Sequence, residues 1–174
     1  MRKLLDGVYT GSGLLSAGLI AAICLLVTAQ VLLNLITKYG PFAFNMTIPS
    51  YADFAGYMLA ASTFLALAYT LMRGGHIRVT MILNTVPSAW RLLAELFCLA
   101  VCAAVAGLAS FYMYRLVHES WEFGDMSSGI IAIPLFIPQS AVLAGLVILT
   151  MALVDLTVQT ARAGRPVIEQ MNTE

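Results

Sequence analysis

Four long apolar stretches, separated by shorter polar segments, dominate the pattern of this chain. They run over about residues 14–36, 53–72, 92–114 and 135–156. Each is close to the roughly 20 residues that an α-helix needs to cross the hydrocarbon core of a bilayer. The pattern therefore predicts an all-α, polytopic membrane protein with four transmembrane helices, forming a single membrane domain over residues 1–174.

The segment between the second and third stretches has a different pattern. Its apolar residues recur at helical spacing opposite a polar row, with Val79, Ile82, Leu83 and Val86 facing Thr80, Asn84 and Ser88. This spacing predicts a short amphipathic helix over 76–90 that lies in the membrane interface and ends near Pro87. An ordinary connecting loop is the alternative. At the C-terminus, the polar residues 162–174 are expected to form a flexible tail.

Composition and charge agree with a membrane protein. Hydrophobic residues make up 60% of the chain and charged residues only 10%, whereas soluble proteins carry about 25% charged residues. The formal net charge of zero provides no field that would attract nucleic acid. Most of the cations lie in alternate connecting segments, at Arg2, Lys3, Arg73, Arg78, Arg91, Arg162 and Arg165, and only Lys38 and Arg115 lie in the others. The positive-inside rule then predicts that both termini are cytoplasmic.

Ionisable residues are scarce within the apolar stretches, and Glu95 is the one that matters most. It lies four residues after Arg91, so an ion pair on one helix face explains it. Contact with a partner or proton handling is the alternative, because charges inside a membrane often mark function. The two histidines, His76 and His118, fall in connecting segments, so haem ligation within the bundle is not expected. We expect no cofactor, no metal site and no enzymatic activity.

Several smaller features predict how the helices pack and begin. Gln30 and Asn34 share a helix face and are expected to hydrogen-bond a neighbouring helix. Small residues form stripes that allow close contact with a helix of this chain or of another, namely Gly13-Ala17-Ala21 and Ala103-Gly107. Pro134 and Pro138 predict that the fourth helix starts near them, either with a proline in its first turn or after a short broken lead-in. A kinked helix is the alternative.

Three groups of residues give the chain a family resemblance. The first is Gly75-His76-Ile77-Arg78-Val79 followed by Val86-Pro87, Arg91 and Glu95, the second runs from Gly124 through Ser128 to Ile133-Pro134, and the third is Gln30-Val31. In this combination, and with four helices, the chain resembles the small membrane subunit (DctQ-like, or Q subunit) of tripartite ATP-independent periplasmic (TRAP) transporters. It departs from the usual family pattern at Asn34, Tyr51, Asp53 and Phe136.

The resemblance implies a non-catalytic permease subunit in a bacterial inner membrane. Such a subunit packs against the fixed scaffold of a larger, elevator-type membrane subunit, which takes up a carboxylate substrate by cation-driven symport. A periplasmic binding protein delivers the substrate, so the expected partners are that protein, the large subunit and the phospholipid membrane. The candidate partner-contact or structural residues are Gln30, Asn34, Asp53, Arg73, His76, Arg78, Pro87, Arg91, Glu95, Ser128 and Pro134. The candidate docking residues for the binding protein are Glu119, Glu122 and Asp125, and a merely solvated acidic loop is the alternative.

Two other functions are compatible with four apolar helices. The first is a self-contained small exporter that couples transport to protons through Glu95. The second is the small subunit of a tripartite tricarboxylate transporter, which has the same layout and a different large partner. An exporter would work alone, whereas either small subunit would need a larger polytopic partner.

Overall fold

Four long helices make up the structure, a computed structural model that describes residues 2–39, 47–74 and 88–163. They are α1 (Arg2–Tyr39), α2 (Tyr51–Met72), α3 (Ser88–Glu122) and α4 (Phe136–Ala163). Each contains a stretch that is long and apolar enough to cross a membrane. Within the described ranges there is no strand, only an isolated antiparallel bridge between Met126 and Pro134. The prediction of an all-α chain with four helices long and apolar enough to span a membrane is confirmed over the described ranges.

Two of the helices are much longer than the apolar stretches that predicted them. α1 has 38 residues and α3 has 35, which correspond to lengths of roughly 57 and 52 Å at 1.5 Å per residue. A hydrocarbon core is only about 30 Å thick. The extra turns of α3 contain good helix formers such as Arg115, Leu116 and Glu119. Those of α1 include Gly7 and Gly11, so there the packing of Tyr9 into the core, rather than propensity, stabilises the helix. Hydropathy locates the membrane-crossing part of a helix and not its ends.

Turn residues account for the ends of α2 and the start of α4. Ser50 precedes α2 with φ 56°, and Gly74 follows it with φ 69°, a conformation that suits glycine. The Gly74 amide donates to the Leu71 carbonyl at 3.1 Å, which closes the last turn. α4 begins at Phe136 and holds Pro138 in its first turn, where an amide hydrogen would have no helical partner. This agrees with the predicted first-turn start.

Two predicted segments fall wholly or mainly on residues that the structure does not describe. The interfacial helix over 76–90 is one of them, and only its last residues, 88–90, are described, as the beginning of α3. The predicted tail over 162–174 is the other, and α4 includes its first two residues, Arg162 and Ala163. The remaining residues of both segments lie outside the described ranges.

The helices pack in an order that differs from their order in the chain. α1 packs along α2, α2 along α4, and α4 along α3, with a smaller contact between α1 and α4. The buried apolar core therefore centres on α4, where Ala152, Leu153 and Leu156 are buried. Tyr9 of α1 and Leu71 of α2 join them in the same cluster. The core lies nearer the end of the bundle where α1 begins and α2 and α4 end, which we call the N-terminal end.

Small residues set the closest helix contacts. At Gly145 of α4, an added methyl carbon would lie 2.6 Å from the carbonyl carbon of Phe64 and 2.7 Å from its oxygen. At Gly13 of α1, it would lie 2.6 Å from the Tyr69 ring. Ser16 of α1 donates to the Ser62 carbonyl of α2 at 2.7 Å. Close approach to the backbone therefore holds α2 to α4 at Gly145, whereas between α1 and α2 the Tyr69 ring packs over Gly13 and a hydrogen bond joins Ser16 to Ser62.

Within this chain, the predicted small-residue stripe on α1 meets another helix only at its first residue, and contact of the others with a second chain stays a prediction. Gly13 does contact α2, but Ala17 and Ala21 are exposed. The buried face of α1 instead passes through Tyr9, Ser12 and Ser16. Small size made the alanines plausible, whereas the actual face depends on which side of α1 meets α2. On α3, the second stripe fits better, because Ala103 packs against the core and Gly107 lies within van der Waals distance of Thr150.

Candidate functional site

The polar residues that the sequence analysis selected lie at the two ends of the bundle. At the end opposite the N-terminal one, Gln30 makes several hydrogen bonds. Its side chain is 3% exposed. Its amide nitrogen donates to Asn34 Oδ1 at 3.0 Å and to Thr47 Oγ1 at 2.8 Å, and its Oε1 accepts from the Ile48 amide at 2.8 Å. Gln30 therefore ties the segment before α2 onto α1. The expected pairing of Gln30 and Asn34 with a neighbouring helix is wrong in detail, because both bonds beyond α1 go to a connecting segment.

The start of α2 is held by the loop between α3 and α4. The Ile131 amide donates to Ser50 Oγ at 2.9 Å. Gly129 lies so close that an added methyl carbon would be 2.8 Å from Ser50 Oγ and would also clash with the Asp53 carboxylate. Asp53 is in the first turn of α2, where a negative charge suits the helix dipole. Asp53 therefore belongs to a contact between α2 and this loop.

Backbone pairing makes the same loop compact. The Ser127 amide donates to the Ile133 carbonyl at 2.8 Å, and the Leu135 amide donates to the Asp125 carbonyl at 2.9 Å. Ser127 Oγ accepts from the Ile133 amide at 3.0 Å. Ser127 is buried, whereas Ser128, the residue selected from the sequence, is exposed. The loop thus brings Pro134 into position as the partner of Met126 and directs the chain into α4.

The predicted docking residues lie on the exposed surface beside this loop. Glu119 is 3.9 Å from Arg115, and Glu122 is 3.6 Å from His118, each one helical turn apart on the last part of α3. Exposed pairs of this kind contribute about 0–1 kcal/mol. Asp125 follows α3 and is exposed. Trp121 and Phe123 are exposed too, although the Trp121 ring also meets Phe136 edge-on at 4.6 Å. The surface combines acidic and aromatic side chains.

The N-terminal end contains the remaining candidates that the structure describes. Arg73 lies over the Tyr69 ring, with its guanidinium carbon 5.3 Å from the ring centroid. Glu95 is 6% exposed, and both it and Arg91 have an interaction partner. The expected Arg91–Glu95 ion pair stays a prediction. His76, Arg78 and Pro87 lie outside the described residues.

Large apolar side chains cover much of the outer surface of the bundle. On α1 the exposed ones include Leu14, Leu15, Ile20, Leu25, Val31, Leu32 and Ile36. On α3 they include Leu93, Phe97, Val101, Val105, Leu108 and Phe111. In lipid such faces are ordinary, and they also provide contact area for another membrane protein. The three cysteines, Cys24, Cys98 and Cys102, are exposed on these same two helices.

The arrangement is suited to packing and positioning. Across residues 2–39, 47–74 and 88–163, no group of three or more potential metal-ligand side chains comes together. Among the buried hydroxyls and amides, Ser16 and Gln30 join one element to another and Ser127 closes its own loop, whereas Ser12 and Ser62 bond within their helices. Sequence reasoning missed Ser50 and Ser127. A serine three residues before an acidic residue is typical of a helix N-terminus and marks where α2 begins, but the Ser50 side chain makes no capping bond and accepts from the Ile131 amide instead, which the pattern does not predict.

Comparison with known proteins identifies the class to which this bundle belongs. The family model for the DctQ component of tripartite ATP-independent periplasmic transporters matches residues 23–163. The match covers most of the chain and includes all of α2, α3 and α4, so the chain belongs to the DctQ family of TRAP transporter small membrane subunits. No curated protein and no solved structure matches the chain. The family resemblance inferred from the sequence is confirmed, and with it a multi-pass membrane protein.

Proposed function

We propose that this chain is a non-catalytic scaffold for a larger, elevator-type membrane subunit that takes up a carboxylate in bacteria. The observation that carries the proposal is the DctQ family match over residues 23–163. Members of this family are components of tripartite transporters, so a large membrane subunit and a binding protein are the partners to expect. The same match favours a TRAP transporter over a tripartite tricarboxylate system.

The use of polar groups in the bundle supports a scaffold role. An alternating-access carrier needs polar or charged groups that line a path and can exchange partners. Here Ser16 and Gln30 are engaged in bonds that fix one element to another. The exposed apolar faces of α1 and α3 offer area for a partner helix. We expect the large subunit to cover part of one of these faces and lipid to cover the rest.

The proposed orientation places the N-terminal end of the bundle in the cytoplasm of a bacterial inner membrane. Lys3, Arg73, Arg91 and Arg162 belong to this end, whereas the opposite end combines Lys38 and Arg115 with several carboxylates. A bias of this kind favours retention of the basic end in the cytoplasm. The loop over 123–135 would then face the periplasm, where a binding protein can reach it.

Reconstitution tests the scaffold role. A tag on the full-length chain should co-purify a larger polytopic protein from mild detergent. Proteoliposomes with both chains and the binding protein should accumulate a labelled dicarboxylate or sialic acid under an inward sodium gradient, and liposomes with this chain alone should not. Ion-driven transport by the purified chain alone would contradict the proposal. If Glu95→Gln abolished that activity, the self-contained exporter would be the correct function.

The acidic surface near the end of α3 is proposed to receive the binding protein. Exposed charges at the edge of an interface mainly change the association rate and its salt dependence. Replacing Glu119 and Glu122 by glutamine and Asp125 by asparagine should slow association of the binding protein with the reconstituted complex by roughly 3–10-fold at low salt. Biolayer interferometry over a salt series would measure this.

The matched control for this surface is Asp155→Asn, which removes a carboxylate on α4, toward the N-terminal end. It should leave the association rate of the binding protein unchanged. Equal rates for the triple variant and the unmodified complex at every salt concentration would exclude docking through these acids. That outcome would leave the scaffold proposal intact, because the scaffold role depends on the large subunit.

A further inference from the structure

A polar pocket opens at the N-terminal end, between the start of α1 and the end of α2. Its volume is about 190 Å³. The residues that line it are Asp6, Tyr9, Thr10, Tyr69, Met72 and Arg73. Its wall therefore presents one carboxylate, one guanidinium and two hydroxyl-bearing side chains besides Tyr69. The contacts described above leave this pocket without a role.

The Tyr9 side chain marks the pocket as more than a surface depression. Tyr9 is only 2% exposed, and its hydroxyl oxygen has no hydrogen-bond partner among the described residues. Nearly all buried polar groups in proteins have a partner, so an exception calls for a ligand or a water. Asp6 presents a carboxylate to the same cavity. A ligand group that donates a hydrogen bond and carries positive charge would satisfy both the tyrosine oxygen and this carboxylate.

The wall of the pocket that α2 forms carries the positive charge of Arg73 and therefore suits a negatively charged ligand group. Arg73 is held over the Tyr69 ring at 5.3 Å, a contact that fixes the guanidinium beside the pocket. Within the described residues no ion pair joins Arg73 to Asp6, although both line the same cavity. A guanidinium binds phosphate through parallel hydrogen bonds. One wall therefore suits a phosphate and the other suits an ammonium group.

The level of the pocket indicates where such a ligand comes from. Arg73 follows the last turn of α2, and Asp6 precedes the apolar stretch of α1 that begins near Leu14. Both belong to the boundary between the apolar part of the helices and their polar ends, where lipid headgroups lie. Basic pockets at this depth bind lipid headgroups. The distinguishing feature here is the added carboxylate and the unpartnered hydroxyl.

We propose that this pocket binds the phosphoethanolamine headgroup of a phosphatidylethanolamine molecule in the surrounding bilayer. The phosphate accepts from Arg73, and the primary ammonium donates to the Asp6 carboxylate and to the Tyr9 oxygen. Bound in this way, the lipid joins the start of α1 to the end of α2. The inference requires only that the chain lies in a membrane, so it stands or falls separately from the transport role.

Native mass spectrometry on the full-length chain, with its membrane partner if that co-purifies, tests the proposal. The protein is released from nanodiscs that contain phosphatidylethanolamine, phosphatidylcholine and phosphatidylglycerol with identical acyl chains. Phosphatidylethanolamine should be retained about tenfold more than either competitor. Phosphatidylcholine has no N–H to donate, and phosphatidylglycerol has no positive charge for Asp6. Equal retention of the three lipids, or retention of water alone, would overturn the proposal.

Three variants test the contributions of the individual lining residues to lipid binding. Asp6→Asn should abolish the preference for phosphatidylethanolamine over phosphatidylcholine, and Arg73→Gln should weaken retention of all three lipids about tenfold. Tyr9→Phe should reduce retention of phosphatidylethanolamine without lowering thermal stability, because the hydroxyl has no partner to lose. Lys3→Gln is the control, since Lys3 is exposed near the pocket and does not line it. Unchanged lipid preference in Asp6→Asn, or an equal loss in Lys3→Gln, would contradict the assignment.

A final arm separates a membrane lipid from a soluble compound with the same headgroup. Phosphoethanolamine in solution is added to the detergent-purified chain before the lipid mixture. Failure to displace bound phosphatidylethanolamine at millimolar concentration is the expected result, because the acyl chains hold the lipid in place. Displacement at micromolar concentration would assign the pocket to a soluble ligand and overturn the lipid proposal.

Discussion

Gly145→Ala is expected to lower the free energy of unfolding of the bundle by about 2 kcal/mol, within the range for overpacked interiors. The new methyl carbon would lie 2.6 Å from the Phe64 carbonyl carbon, so α2 and α4 would have to move apart. The obstacle is backbone, which cannot rotate away as a side chain can. Gly145→Leu should prevent the contact entirely and leave no monodisperse protein in detergent. Titration with a denaturing detergent, followed by circular dichroism, measures the loss.

Gly56→Ala in α2 provides the matched control, since nothing lies within 4 Å of the added methyl carbon. Glycine in a helix interior costs roughly 0.5–1 kcal/mol relative to alanine. The control should therefore be neutral or slightly stabilising, although the chemical change is identical. If both alanine variants unfolded at the same denaturant concentration, the close contact between α2 and α4 would not exist as described.

Gln30→Leu is expected to destabilise the end of the bundle opposite the N-terminal one by about 2 kcal/mol. The substitution nearly preserves volume but removes the acceptor for the Ile48 amide and the donor to Thr47 and Asn34. Loss of three bonds at about 0.6 kcal/mol each accounts for most of this change, and the half-buried Ile48 amide adds to it because it is left without its acceptor. Hydrogen–deuterium exchange of the segment 47–50 should accelerate. The same denaturing-detergent titration measures the stability change.

Asn34→Leu tests the bond between Gln30 and Asn34 separately from the bonds that Gln30 makes to Thr47 and Ile48. Asn34 is exposed and accepts a single hydrogen bond from Gln30, which keeps its bonds to Thr47 and Ile48. The loss should be close to the average of about 0.6 kcal/mol for a hydrogen bond in a membrane protein. Exchange over 47–50 should remain slow. Rapid exchange in Asn34→Leu, or slow exchange in Gln30→Leu, would contradict the assigned role of Gln30.

For some polar residues the sequence predicts that a hydrogen bond forms but not which residue is the partner. Gln30 and Asn34 are polar residues in an apolar stretch, so hydrogen bonding was a safe inference. The partners of Gln30 outside α1 come from a segment 17 or 18 residues away along the chain, and periodicity carries no information about such pairs. For the same reason, periodicity could not predict that Ser127 is buried and Ser128 is exposed. Adjacent serines are equivalent by composition, and the turn of the loop decides which one is buried.

The sequence by itself determined the class of fold, the number of spanning helices and the family, because each depends on local information. Hydropathy over about 20 residues defines a span, and short motifs such as Ile133-Pro134 contribute to the resemblance. Only the tertiary structure decided that α4 lies between α2 and α3, that Gly145 meets the Phe64 backbone, and that Asp6 and Arg73 line one pocket. These features depend on which helix faces meet. In a chain that is 60% hydrophobic, apolar residues cover the lipid-facing and buried sides alike, so amphipathic periodicity cannot select the faces.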